Sequence, residues 1–239
     1  MAEIKDIGQA GFLKRYGLNL IQRLSHGGAA VDDVVWTIIP TAAGALTTQA
    51  QGFAQMLNLF LTEPYYSEHW PEIQRLANDS SPLAFEKLRK YALEAYRLAP
   101  PAFGLLRRVD ADVATIKEGH PDIRVRKGDT VLCDLVSAAI DPTKFHRPHD
   151  IDLFRSEDSY IDHGYGAHAC IGRPMVTTAM AAQLRALARM KNLRRKAGPE
   201  GELKRKTVNE SFTYHLDGEC REWSPFSSTM VVQYDGLEE

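Results

Sequence analysis

Cys170 closes a glycine-punctuated stretch, His163-Gly164-Tyr165-Gly166-Ala167-His168-Ala169-Cys170-Ile171-Gly172-Arg173-Pro174, directly ahead of a long helical pattern. Glycines at 164, 166 and 172 let a backbone turn tightly and approach something flat or bulky. A thiol at the mouth of a helix meets the positive end of the macrodipole, which favours the thiolate. Such a thiolate is a soft metal ligand, and haem iron is one of the metals that takes a single one. A lone cysteine is more often a small buried hydrophobe, so its neighbours must decide.

The second chemical feature lies well upstream. Glu94 and Arg97 fall at i and i+3, a carboxylate and a guanidinium on one helix face, and Leu98-Ala99-Pro100-Pro101 follows. An isolated pair of this kind is commonly a solvated surface pair. Here strand-like segments and then a loop rich in Pro, His and Phe separate it from Cys170.

The elements that position these residues are read from periodicity. Residues 10–25 carry Phe12, Leu13, Tyr16, Leu20, Ile21 and Leu24 at helical spacing, and Gly27-Gly28 stops the pattern. A second helix is predicted from Asp32-Asp33 through Trp36 to about Leu61, with a kink or break where Pro40 and Gly44 interrupt it. Further helices are predicted around 69–77, over 82–97 behind Ser80-Ser81-Pro82, and over 175–194 with Met180, Leu184, Leu187 and Met190 as its stripe. Segments 109–113 and 123–135 read as strands around Lys127-Gly128-Asp129, a hairpin turn. Asp141 to Arg155 reads as an irregular loop, and 212–214 and 229–234 as strands joined by a polar loop. No internal repeat or low-complexity linker is present, so residues 1–239 read as a single domain, mainly α with small β-sheets.

Composition narrows the class. With 44% hydrophobic residues, 25% charged and a net charge of −2, nothing pulls the chain toward nucleic acid or an anionic membrane. Cys133, Cys170 and Cys220 are odd in number and lack CxxC spacing, which argues against a disulfide framework or structural zinc and fits a reducing compartment. The start lacks the apolar run of a signal peptide and no stretch has the length of a membrane span, so a cytoplasmic protein without a membrane anchor is expected. The basic run from Arg189 to Lys206 has no interleaved aromatics for base stacking and reads as a solvated helix end.

In order and spacing these features resemble the C-terminal half of the cytochrome P-450 superfamily. In that family a Glu-x-x-Arg helix locks to an arginine in an irregular loop, and the cysteine motif is Phe-x-x-Gly-x-Arg-x-Cys-x-Gly. The matching positions are His163, Gly166, His168, Cys170 and Gly172, with His in place of both Phe and Arg. The resemblance implies haem b with Cys170 as its axial ligand, His168 and either Arg107 or Arg108 near a propionate, and Arg155 as partner of Glu94 and Arg97. The usual Phe shields the thiolate, so His163 in its place would tune the iron or mark relaxed selection. The match is nearest to the fungal linoleate diol synthase and fatty-acid hydroperoxide isomerase (psi-factor-producing oxygenase) type. Residues Trp36 to Phe53 resemble the distal helix of that type, where an Asn-Gln pair handles the hydroperoxide, and Trp223 to Met230 resemble its closing strand. Here that pair reads Thr48-Gln49.

Dioxygen-activating members place an acid beside a threonine on the distal helix, and in Ala43-Gly44-Ala45-Leu46-Thr47-Thr48 the acid position is Leu46. The resemblance therefore implies a haem-thiolate isomerase or lyase that rearranges or dehydrates an already oxygenated hydrophobic substrate, such as a lipid hydroperoxide or fungal natural product, with Thr47, Thr48 and Gln49 as catalytic candidates. The alternatives are a reductase-driven monooxygenase, or a haem-free remnant serving as scaffold or non-redox cyclase. The resemblance begins where the last third of the family's helices begins, so a truncated fold is expected. A homodimer or a second polypeptide would then cover the apolar distal helix, unless residues 1–30 repack over it.

Overall fold

A computed structural model describes residues 16–62, 65–111, 113–116, 123–208, 212–217, 219, 221, 223–224 and 230–237. Cys220, residues 10–15 of the first predicted helix and residues 225–229 of the segment resembling a closing strand lie outside them. Contacts divide the chain into two units, Met1–Thr47 and Thr48–Glu239.

The first unit contains α1 (Tyr16–His26) and α2 (Val31–Ala43). Asp32 and Asp33 occupy the first turn of α2, where their charge suits the helix dipole. Pro40 sits inside α2 without a backbone donor, and the segment Gly44–Thr48 that follows is a π-helical turn. The expected break is thus a widened turn rather than an interruption.

The second unit is built on four helices: α3 (Gln49–Phe60), α4 (Trp70–Asn78), α5 (Pro82–Leu98) and α7 (Arg173–Ala188). Ser81 caps α5, its hydroxyl accepting from the Ala84 N–H at 3.2 Å, and Pro82 takes the first helical position, where its missing N–H costs nothing. The core draws Met56 and Phe60 from α3, Ile73 and Leu76 from α4, Leu88 and Ala95 from α5, and Met180, Ala181, Leu184 and Ala188 from α7. Ala95, Ala181 and Ala188 are completely buried. Such small side chains let α5 and α7 approach closely. Of the predicted α7 stripe, Met180 and Leu184 are buried while Leu187 and Met190 pack partly against the core.

Among the described residues the strands form four small sheets. β1 (Gly104–Arg108) pairs antiparallel with β4 (Thr130–Asp134), and β2 (Val113–Ile116) with β3 (Ile123–Arg126). The hairpin predicted at Lys127-Gly128-Asp129 is therefore corrected. The turn is real, with Gly128 at φ 92, but it joins strands of two different sheets. Its hydrogen bonds go to Val109, whose N–H donates to Asp129 O and whose carbonyl accepts from the Gly128 N–H, both at 2.9 Å. A short helix, α6 (Leu135–Ala139), follows β4.

The predicted helix over 175–194 ends earlier, at Ala188. Asn192 adopts the left-handed conformation at φ 53, which Asn tolerates, and the chain turns into β5 (Arg194–Arg195). The basic run is accordingly part strand and not a solvated helix end. β5 pairs with β9 (Val232–Gln233), while β7 (Phe212–Leu216) pairs with β6 (Arg205–Val208) and β8 (Trp223–Ser224). The two strands expected in the tail thus belong to separate sheets. Among the described residues no helix is long and apolar enough to cross a membrane.

Candidate functional site

The two faces of α5 do different things. Glu94 and Arg97 share one face and are 0% and 1% exposed, so the pair is not the solvated surface pair that its spacing alone most often means. Arg97 grips Glu94 with two bonds, Nε to Oε1 at 3.1 Å and Nη2 to Oε2 at 2.7 Å. Its remaining donors go to the carbonyls of Ala139 at 3.0 Å, Pro148 at 2.5 Å and Asp150 at 2.9 Å. Glu94 also accepts from the Asp152 N–H at 3.1 Å, from Arg155 Nε at 3.4 Å and from the Tyr160 hydroxyl at 2.8 Å. Two buried charges survive in a low-dielectric interior only when every donor and lone pair is used in this way. Arg155 in turn donates to the carbonyls of His146 and Arg147, both at 3.1 Å, and its guanidinium lies over the Phe145 ring, as does that of Arg97. The irregular loop of 141–155 is thereby wired to α5 by three residues the sequence singled out: Glu94, Arg97 and Arg155.

Tyr96 lies two positions from Glu94 and so points away from that network. Its ring stacks on the imidazole of His163, with centroids 5.4 Å apart and planes 20° apart. Burial pushes the Tyr96 hydroxyl up to about 12, with the charges of Asp162 and Cys170 adding to it. His163 is buried, and neither ring nitrogen has a hydrogen-bond partner among the described residues. Burial, aided by the positive charge of Arg173, holds its pKa down to about 4, so the ring is neutral near pH 7 and packs as an aromatic. Beside it Asp162, with a buried and unpartnered Oδ1, is pushed up to about 7 by burial.

The cysteine loop turns back on itself between these anchors. The Cys170 N–H donates to the His163 carbonyl at 2.6 Å. Gly164 has φ +74, and a Cβ there would meet the His168 carbonyl oxygen at 2.6 Å, so the turn requires glycine. Gly166 opens a 3-10 turn, Gly166–His168, at φ +62. Gly172 precedes α7 and lies under the thiol, where an added Cβ would be 3.6 Å from Cys170 Sγ. Cys170 is a free thiol and exposed, as are His168, Tyr165 and Ile171. Arg173, at the start of α7, donates to the Glu157 carbonyl at 2.8 Å, and the Glu157 carboxylate pairs with Arg89 and Lys90 of α5. The loop therefore hangs from α5 at both ends.

The other candidates make contacts of their own. Thr47 belongs to the first unit, and its hydroxyl donates to the Ala43 carbonyl at 2.6 Å, the ordinary bond of a helix-interior threonine. Thr48 and Gln49 belong to the second, where Gln49 Nε2 donates to Gln183 Oε1 of α7 at 3.1 Å. Arg107 and Arg108 lie exposed on β1, Arg107 donating to the Leu106 carbonyl at 2.9 Å. Sequence reasoning missed Tyr96, Tyr160, Asp162 and Gln183. The first sits inside the Glu94–Arg97 interval and had a local signal, the i+2 offset that puts an aromatic on the opposite face.

Solved structures share this arrangement of elements. The chain has the fold of the C-terminal half of a cytochrome P-450. The Tepidiphilus thermophilus P450 haem domain superposes with a TM-score of 0.60 at 22% identity, over 79% of this chain and 42% of that one. An intact type IV self-sufficient cytochrome P450 monooxygenase gives 0.63 at 22% identity, over 83% of this chain and 24% of that one. In sequence the chain is similar to fungal oxygenases of the psi-producing and linoleate diol synthase type. Psi-producing oxygenase A of Emericella nidulans is 37% identical over 225 residues, 94% of this chain and 20% of the relative. A bifunctional dioxygenase–epoxy alcohol synthase of Fusarium oxysporum is 35% identical, over 93% of this chain and 17% of the relative. Linoleate diol synthase of Gaeumannomyces graminis is 31% identical, over 94% and 22%. The chain thus spans about a fifth of the length of the curated relatives it matches. No family model matches it.

Proposed function

We propose that this chain holds haem b through Cys170 Sγ and rearranges, isomerises or dehydrates an oxygenated lipid, a fatty-acid hydroperoxide foremost, without a reductase. The observation that carries the reading is the exposed Cys170 thiol on its glycine loop, tied to α5 through the Glu94–Arg97–Arg155 side and the Tyr96–His163 side. The residues present fit the group: a soft donor, charge support from the start of α7, and open space beside the Gly166 backbone, where a Cβ would meet nothing within 4 Å. His168 is exposed on the same turn and is the candidate partner for a propionate. Thiolate-supported cleavage of the O–O bond is the chemistry haem b supplies when bound there.

The isomerisation is balanced without an outside electron donor. The peroxide O–O bond and one substrate C–H bond break, a C–O bond forms on that carbon and an O–H bond on the oxygen left behind, so substrate and product share one composition. Gln49, fixed by Gln183, is the side chain assigned to orienting the peroxide. Two related sequences named for an epoxy alcohol synthase and a diol synthase support this choice over oxygen insertion. Exposed Trp36, Ile39 and Leu46 on the first unit support a homodimer or a second polypeptide as partner. A reducing compartment such as the cytoplasm, where Cys170 stays a thiol, belongs to the same proposal.

The test is the absorption spectrum of the reduced protein with carbon monoxide. The long-wavelength Soret band of a thiolate-ligated haem is expected, and its absence, or its persistence in Cys170→Ala, overturns the reading. Turnover of a fatty-acid hydroperoxide with no reductant present then separates isomerase from monooxygenase.

A further inference from the structure

We propose that Tyr96 is a positioning residue for Cys170, acting through its stack on His163. The inference rests on the reading above that Cys170 ligates haem. The chain of contact is short. The Tyr96 ring lies face to face with His163 at 5.4 Å, and the His163 carbonyl takes the Cys170 N–H at 2.6 Å. Both ring nitrogens of His163 lack hydrogen-bond partners among the described residues, so packing, with the Tyr96 ring as its stacked face, holds the buried imidazole. A residue that carries the backbone acceptor for the ligand's own N–H, and whose side chain packs face to face on a neighbouring ring, transmits movement of that ring to the cysteine.

The Tyr96 ring is itself fixed from the other side. Gly52 of α3 is buried, and a Cβ built there would lie 2.3 Å from Tyr96 Oη and 2.5 Å from its Cζ. The hydroxyl therefore rests against the backbone of α3, in a space only glycine leaves. The two stacked rings share a small apolar pocket with Leu93 of α5 and with Val176 and Met180 of α7. Tyr96 thus touches α3 through its hydroxyl and the cysteine loop through its ring face, while its backbone belongs to α5. No covalent step is involved; the device is purely positional, and it uses an aromatic neighbour where hydrogen bonding to His163 is lacking.

Three variants test it: Tyr96→Leu removes the stacking ring, Tyr96→Phe keeps it and Gly52→Ala pushes it out of place. The readouts are the fraction of ferrous carbon monoxide complex showing the thiolate-type Soret band, and the affinity of the apoprotein for hemin. Tyr96→Leu and Gly52→Ala are each expected to lower both about three- to tenfold, the worth of one aromatic pair, while Tyr96→Phe stays within about twofold of wild type. Thiolate bands unchanged in Tyr96→Leu or in Gly52→Ala overturn the proposal, as does an equal loss in Tyr96→Phe, which would assign the effect to the hydroxyl. Should Tyr96→Leu fail to fold, Gly52→Ala and Tyr96→Phe decide between the same outcomes. A wild type with no thiolate band overturns the haem reading itself, and this one with it; a wild-type band insensitive to all three overturns this one alone.

Discussion

The Tyr160 hydroxyl donates to Glu94 Oε1 at 2.8 Å, and the two side chains are closed to solvent, at 2% and 0% exposure. Burial and the Glu94 carboxylate together hold the Tyr160 hydroxyl far above the ordinary phenol range, so it is a permanent donor. It completes the shell of a carboxylate already held by Arg97 and Arg155. Tyr160→Phe is expected to cost about 1–3 kcal/mol in urea unfolding, the worth of a hydrogen bond to a buried charged acceptor. Glu94→Gln should cost more, about 3–5 kcal/mol, because it leaves two guanidinium groups buried without their counter-charge.

Cys170 is expected to behave in the opposite way. Its side chain is exposed, so Cys170→Ser should leave urea stability of the apoprotein within about 0.5 kcal/mol of wild type. The same substitution should abolish the thiolate-type Soret band. A large loss of stability would mean that the thiol packs, and that its spectral effect says nothing about ligation.

Stability should fall with rising pH through Asp162. Its folded pKa, about 7, lies above the ordinary carboxylate value, because burial opposes its charge while Glu94 also repels it and Arg97 and Arg173 attract it. A folded state that holds the proton more tightly gains stability below the unfolded pKa of about 4 and loses it as pH rises toward 7. The slope attributable to this residue approaches, at most, ~1.4 kcal/mol per pH unit. Asp162→Asn should flatten that part of the curve between pH 4 and 7 in unfolding titrations. A curve unchanged in shape would show that Asp162 is solvated enough to ionise normally.

Much of this arrangement was legible in the chain, because its signals are local. Ser81-Pro82, the stripe of Met180 and Leu184, and the glycines around Cys170 each act over one or two turns of backbone. What escaped was set by partners far away in sequence. Lys127-Gly128-Asp129 makes the turn its residues favour, yet Val109, distant along the chain, decides that it joins two sheets. Gln49 reads in sequence as a pair with Thr48, but its hydrogen bond is to Gln183 on another helix. Tyr160 carries no local pattern at all, and its role follows only from where the loop delivers it.

Arg195 shows the same principle in a form that mutation can expose. In sequence it is one cation in a basic run; in the structure its guanidinium turns inward to the end of α3. Nε donates to the Leu61 carbonyl at 3.0 Å, Nη2 to the Asn58 carbonyl and the Thr62 hydroxyl, both at 2.7 Å, and Nη1 to the Gly201 carbonyl at 3.1 Å. Burial lowers its pKa from the ordinary arginine value, but not enough to remove the charge. The last carbonyls of a helix have no partner within it, and a cation there also meets the negative end of the dipole. Arg195→Ala should therefore cost about 2–4 kcal/mol, since several acceptors lose their donor at once. Arg195→Lys should recover little, because a single ammonium cannot span carbonyls on both sides as a planar fork does. Amide hydrogen exchange separates this from general loosening: the Leu61 and Thr62 amides, bonded to Leu57 and Leu59, should lose protection first, while those at the centre of α5 keep theirs. Equal loss at both places would mean that Arg195 holds the fold as a whole rather than the end of one helix.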